Sequence, residues 1–373
     1  MKDFLAAWKV DVGAFPAQGS IEEKLVFCLR YAILAPSTFN TQPWHFRLDE
    51  NVLELYADRR YGLAVVDADD RALMISCGSV LRILELTLGH FGFQYDVEEL
   101  PDAGDEDLVA RITVKNSGGR SSLKKAEEAL FGKVTSRHGT RLVYEDKHVK
   151  DEHVAALRGA MESNGCWFHL CDDYQKSAVL QLVSEADAIQ GSNKHFRREL
   201  ASWVHPLRAE SRDGMPHYNM KLNDVMGDLS PSIVRRFEVG QGEKALAFQQ
   251  MEKGTPLLAV MGSPYGADKG RLLFGKAIVE LGLQAEIYGV SLSSLNQVCE
   301  VPDLRLRLHD MLSCPGRAQS VMRIGYTREK IYTPRRPMST FVTLSGGREL
   351  ARDHSIVSAG EAHPDGIMSG YID

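Results

Sequence analysis

The chain has 373 residues, 44% of them hydrophobic, and a formal net charge of -6. That length suits two domains or one large intertwined core, and the acidic balance excludes a general attraction to nucleic acid or anionic membrane. Cysteines 28, 77, 166, 171, 299 and 314 form no C-x-x-C pair, which argues against a zinc site or a disulfide framework.

The start, Met1 to Leu5, carries no apolar run with a small-residue cleavage site, so no signal peptide is expected. No apolar run approaches the roughly 20 residues of a membrane span. The longest, Ile75 to Leu88, is interrupted by Arg82 and Glu85. A cytoplasmic protein is the expectation. Residues 1–19 read as irregular. Ser20 and Glu23 make a capping box, and Ile21, Leu25, Cys28, Leu29 and Ala32 then share one helical face. A turn of small polar groups follows, Ala35-Pro36-Ser37-Thr38-Phe39-Asn40-Thr41-Gln42-Pro43, and Trp44-His45-Phe46 opens a strand–turn–strand unit ending near Tyr56. A long helix is expected from about Asp70 to Gly89, with Asp67 to Arg71 as its capping region, and a strand over Leu108 to Val114. Ser117 to Ser122 reads as a joint and Leu123 to Phe131 as a charged helix. His148 and His153 read as a solvated helix start.

The pattern then recurs. Arg71-x-Leu73, Leu81 and Gly89 return as Arg271-x-Leu273, Leu281 and Gly289, and Val109 to Ile112 as Val321 to Ile324. This common order predicts an α+β fold of two related halves packed as a pseudo-dimer within one chain. The halves are expected over 1–122 and 123–340, with an insertion at about 174–254 in the second and a Gly-, Ser- and Asp-rich tail over 341–373. Inside the insertion, His205 to Gly242 shows no clean period, and a long irregular excursion of this kind is usually a lid or a disordered segment.

Two clusters suit anions. Arg137-His138-Gly139-Thr140-Arg141 sets two guanidinium forks around a glycine and a hydroxyl, and Thr333-Pro334-Arg335-Arg336-Pro337 holds two more on a stiff segment. Either alone also reads as a basic surface turn. Ser37, Asn40 and Gln42 likewise read by composition as turn chemistry, Trp44 and Phe46 as core, and Cys77 as a small buried residue. P-loop, G-x-S-x-G, H-E-x-x-H and G-x-G-x-x-G motifs are lacking, so hydrolase, NTPase and simple Rossmann readings have no machinery.

Ala35-Pro36-Ser37-Thr38-x-Asn40-x-Gln42-Pro43-Trp44-x-Phe46 resembles the signature of the FMN-dependent nitroreductase family. Arg137-His138-Gly139-Thr140-Arg141 is similar to that family's phosphate-binding stretch, and Asp213 to Pro216 with the Thr333 to Pro337 ending looks like its Acg-like branch. The resemblance covers most of residues 20–340. It implies a nitroreductase-like fold of two fused halves and one FMN between them. It would place Arg137, His138, Gly139, Thr140 and Arg141 at the phosphate, ribityl and pyrimidine edge, and Arg335 and Arg336 at the phosphate. Leu295, Asn296 and Gln297 would lie near the ring N5, and Pro36, Ser37, Thr38, Asn40 and Gln42 would come from the other half. Arg141 would stabilise charge at the ring N1/C2=O edge, with no general acid required. Gly139 stands where the family has a serine, and the two motifs of the site lie in different halves. His205, Met215, Pro216, His217 and Tyr218 of the insertion would close over the ring. The implied activity is NAD(P)H-dependent two-electron reduction of a small organic acceptor, a nitro compound or quinone, by a ping-pong route. The alternatives are an FMN store, sink or sensor, and a flavin reaction on a specific metabolite. Monomer and homodimer of the pseudo-dimeric chain are both open.

Overall fold

The computed structural model describes residues 5–139, 144–205, 211–216, 251–264, 266–328 and 330–350. Helix α1 (Ile21–Ala32) starts at the reciprocal capping box: Ser20 Oγ accepts from Glu23 N at 3.1 Å, and the Glu23 carboxylate accepts from Ser20 N at 2.7 Å. The hairpin β1 (Trp44–Asp49) and β2 (Val52–Ala57) follows, then α2 (Arg71–His90), β3 (Tyr95–Glu99), β4 (Leu108–Val114) and α3 (Lys125–Phe131). At the start of α2 the cap is Asp67, whose carboxylate accepts from Ala72 N (2.8 Å) and Leu73 N (2.9 Å); Asp70 makes no cap bond. Contrary to the sequence expectation, α2 is long and apolar enough to cross a membrane, yet 89% of that apolar window is buried inside the protein.

The second half runs α4 (Asp151–Glu162), β5 (Trp167–Leu170), α5 (Asp173–Ser192), α6 (Lys194–Ser202), the short parallel pair β6 (Val204–His205) and β7 (Met215–Pro216), and β8 (Leu257–Ser263). It continues through α7 (Ala267–Tyr288), β9 (Ser291–Ser294), α8 (Gln297–Glu300), α9 (Pro302–Leu312) and β10 (Arg317–Gly325). Strands β11 (Val342–Leu344) and β12 (Arg348–Glu349) end the described chain.

The architecture is α+β. One sheet has the order β12-β11-β1-β2-β4-β3 and the other β5-β8-β10-β9. The run β1-β2-β4-β3 corresponds to β5-β8-β10-β9 strand for strand, and in each a long helix follows the second strand. The two long helices pack against one another. At their crossing a Cβ on Gly78 would stand 2.1 Å from Leu272 O, and one on Gly275 2.1 Å from Ile75 O. Both positions therefore exclude any side chain. This reciprocal contact pairs Gly78 with Gly275, about one helical turn away from the register in which Arg71 matches Arg271. Buried Leu272, Val279 and Leu283 of α7 join the core of the first half.

Two expectations need correction. The tail was placed from residue 341, but Phe341, Val342 and Leu344 are buried in the first core, and β11 runs parallel to β1 with Phe46 opposite Val342. Three residues of alternation are too short to read as a strand. His153 is buried on α4, its Nδ1 2.9 Å from Tyr326 Oη, whereas His148 is exposed as expected. Residues 351–373 lie outside the described chain.

Candidate functional site

The turn after α1 is held in an unusual backbone path. Phe39, Asn40 and Gln42 have φ of 51°, 55° and 52°, in the left-handed region that costs an L-residue roughly 1–2 kcal/mol. Such strain persists only where surrounding contacts over-determine it, and it gathers at functional sites. Here the contacts are explicit. Ser37 Oγ accepts from Gln42 N (2.9 Å), and Asn40 Nδ2 donates to Gly214 O and Pro334 O (both 3.1 Å). Gln42 Nε2 donates to Arg212 O (2.9 Å), while its Oε1 accepts from Arg336 N (3.0 Å). The insertion and the arginine segment thus both sit on this turn.

Arg335 is spent on structure. It donates to Ile33 O (2.8 Å), Leu34 O (2.9 Å), Ala35 O (3.0 Å) and Asn40 Oδ1 (2.9 Å), so it closes the carbonyl end of α1. Arg137 donates to the same Leu34 O at 3.1 Å. Both guanidinium groups lie over Trp8, at 6.0 Å for Arg137 and 4.9 Å for Arg335. Trp8 is tied down by Nε1 donating to Thr333 O (2.8 Å). Arg137 Nε is buried without a partner, and burial lowers this guanidinium to about 10. Beside it, Glu286 Oε2 lies 3.0 Å from His138 Nδ1, and Glu286 Oε1 accepts from Lys330 Nζ at 2.6 Å. Burial pushes the Glu286 carboxyl up, but the bonds and charges of His138 and Lys330 outweigh it and hold it below the usual range.

Arg336 goes the other way. It donates to Gln42 O and stacks between Tyr61, 3.4 Å from its ring centroid, and Phe341, 4.9 Å away. Its Nε and Nη1 are buried without partners. Beside Tyr61 lies a cavity of ≈ 10 Å³, room for about one water, lined by Thr38, Thr41, Pro43, Tyr61, Asp67 and Ser76.

No family model matches the chain. Among curated proteins it is 26% identical to "Putative NAD(P)H nitroreductase Rv3131" of Mycobacterium tuberculosis, over 84% of this chain and 89% of the relative. It is 21% identical to "Putative NAD(P)H nitroreductase acg" of the same organism, over 83% and 92%. It is also 21% identical to "Probable NAD(P)H nitroreductase PigM" of a Serratia species, over 87% and 95%. Over most of its length the chain is similar to proteins named as NAD(P)H nitroreductases. Solved structures that resemble this nitroreductase-like chain include the FMN-dependent nitroreductase NfnB of Mycobacterium smegmatis in complex with NADPH (13% identity, 58% of this chain, 96% of that one, TM-score 0.36). A Bacteroides fragilis nitroreductase with bound FMN matches at 13% identity over 57% of this chain and 94% of that one, with a TM-score of 0.30.

Of the residues singled out in the nitroreductase-like sequence, Ser37, Asn40, Gln42, Arg137, Arg335 and Arg336 form one connected neighbourhood with Pro36 and Thr38 beside it. His138 joins it through Glu286, and Gly139 through a bridge to Ile331. Leu295, Asn296 and Gln297 are bonded within the second half: Leu295 N donates to Val321 O (2.8 Å), Asn296 Oδ1 accepts from Ser320 Oγ (2.9 Å), and Gln297 bonds Asp187. Thr140, Arg141, His217 and Tyr218 lie outside the described residues. Sequence reasoning missed Trp8, Tyr61, Glu286 and Phe341. Trp8 sits in a stretch without period, and the other three carried no motif.

The buried, unpaired N–H of Arg137 is a donor that an anionic oxygen satisfies, so the donor set fits the phosphate of an FMN. The cavity behind the turn is smaller than the about 300–1,000 Å³ of ligand pockets, so walls for the ring are not assembled among the described residues.

Proposed function

We propose that this chain is an FMN-dependent NAD(P)H oxidoreductase of nitroreductase type that reduces a small nitro compound or quinone, with one flavin held between two halves of common ancestry. The relatives' names and the matched strand orders support the reading. The observation that carries it is the buried Arg137 guanidinium with its free Nε, converging with Arg335 on Leu34 O. The Glu286 carboxylate offsets part of this charge, and the Nε donor that it leaves open suits an anionic oxygen.

The bound flavin would supply the redox chemistry, and the protein its position and field. Arg137 donates to the phosphate. Arg335 does not reach it; it fixes the turn that carries Ser37, Thr38 and Asn40, which would line the ring. Trp8 covers both guanidinium groups and keeps water from them. Arg141 would take the N1/C2=O edge.

Purified protein should be yellow, absorbing near ~450 nm as oxidised flavin does, and Arg137→Gln should cut flavin retention at least tenfold. Colourless protein that takes up no FMN sinks the proposal. A second reading, flavin storage, is favoured by the bonds from Asn40 and Gln42 that hold the insertion against the turn. Anaerobic mixing with NADPH separates the two: bleaching within minutes supports the reductase, and flavin that stays oxidised over hours supports the store.

A further inference from the structure

We infer that the open edge of β5, with the outer face of α4 beside it, docks an extended segment of a partner protein, which adds to the sheet as a strand parallel to β5. The chain itself does this once. On the first sheet β11 lies parallel to β1, Phe46 N donates to Phe341 O (2.6 Å), and Arg348 beyond it pairs with Glu22 of α1 at 3.0 Å. The ladders map one sheet onto the other. Phe46 stands opposite Leu55 and Leu55 opposite Ala110, just as Leu170 stands opposite Ala259 and Ala259 opposite Met322. Leu170 is therefore the counterpart of Phe46. Phe46, with β11 beside it, is fully buried, whereas Leu170 is only partly buried.

Cys171 N donates to Leu258 O (2.9 Å), so the Leu170 N–H next to it points away from β8, and it meets no acceptor among the described residues. Beside it runs a groove of ≈ 240 Å³, lined by Val149, Val154, Ala155, Arg158, Leu170 and Leu257. It answers to the space that Val342 and Leu344 fill on the first sheet. An unpaired edge is a template for strand addition, in which main-chain bonds give affinity and pockets for alternate side chains give specificity. One guard stands on it. Arg158 Nη1 donates to Phe168 O (3.0 Å), which covers that carbonyl but leaves the Leu170 N–H open. The partner's chemistry follows from β11 and β12: apolar residues two apart to enter the groove, then a cation. Glu152 is the second residue of α4 as Glu22 is of α1, and its side chain is 68% exposed. With Asp151 beside it and Lys150 at 3.3 Å, two carboxylates face one lysine, so an arriving guanidinium meets net negative charge. A second copy's β11 does not suit the place, because it is already paired with its own β1.

The test is fluorescence anisotropy of a labelled peptide with the sequence Met338 to Leu350, titrated with the full-length protein. The chain's own β11 is tethered at about millimolar effective concentration, so micromolar peptide does not displace it from β1. Wild type should bind the peptide saturably. Leu170→Pro removes the open N–H and leaves the β5–β8 bonds in place, as proline does on a free edge; it should weaken binding at least tenfold. Ala155→Arg, on the exposed face of α4, fills the groove and should weaken binding at least threefold, which keeps the test open should the proline variant fail to fold. A peptide carrying Arg348→Glu should bind at least threefold more weakly than the native sequence. No saturable binding by wild type, or unchanged affinity in Leu170→Pro or Ala155→Arg, overturns the inference. So does a wild-type dimer in light scattering that Leu170→Pro splits, since a second copy would then occupy the edge.

Discussion

Among the described residues Glu286 is the carboxylate paired with His138, and its depressed pKa makes it a pH-dependent support. A carboxyl held below its ordinary value stabilises the fold while ionised. That stability is fully present above the unfolded value of about 4.3 and is lost as pH falls through the folded value. Glu286→Gln should therefore cost about 2 kcal/mol at pH 7, less than a fully buried pair because Lys330 is partly exposed. The gap between wild type and variant should close towards pH 3. Urea melts at pH 7 and near pH 3.5 measure it. A gap of equal size at both would show that the carboxylate's ionisation is not what stabilises the site. The pair of arginines at 335 and 336 teaches the same lesson at this scale. Both read as anion binders because type and spacing are all that a sequence displays. The structure separates them by hydrogen-bond saturation, one spent on helix carbonyls and the other left with open donors.

Between elements, the crossing of α2 and α7 is fixed by two glycines. A methyl group at Gly78 would overlap a backbone carbonyl, and helix backbones cannot yield as side chains do. Gly78→Ala should destabilise by about 3 kcal/mol. Gly159→Ala, inside α4 with nothing within 4 Å of its added carbon, should instead stabilise by up to about 1 kcal/mol through helix propensity. Chemical denaturation of the two variants decides it. If both stabilise, the close approach is not what holds the helices. Helix α2 itself was legible from its period and its acidic start, and α1 from Ser20 and Glu23. The crossing was not, because a glycine within a helix looks alike whether it faces a backbone or solvent. Strand β11 was hidden too: its partner β1 lies some three hundred residues earlier, and Val342 and Leu344 gain their burial only from that distant sheet. Trp8 escaped for the same reason, since its role depends on Arg137, Thr333 and Arg335.

Across the whole molecule the halves match in strand order but not in charge. At the end of α1, guanidinium groups of Arg137 and Arg335 bind the last carbonyls. At the corresponding end of α4, Asn164 Nδ2 binds Ala160 O (2.9 Å) and Glu280 Oε2 (2.7 Å). Glu280 belongs to a network in which Arg82 and Lys276 are shared among Glu85, Glu99, Glu127 and Glu280. Two cations against four carboxylates leave a net negative patch, which repels a phosphate where the other side attracts one. If the proposed flavin reading holds, the chain should accordingly bind one FMN. Flavin released by denaturation, measured against protein concentration, should give a ratio near one after saturation with FMN. Arg137→Gln should take that ratio below about a tenth, consistent with loss of a charge-assisted donor from a buried site. A wild-type ratio near two, or a variant that retains half of its flavin, would mean that the acidic side binds as well and that the asymmetry of charge does not decide the stoichiometry.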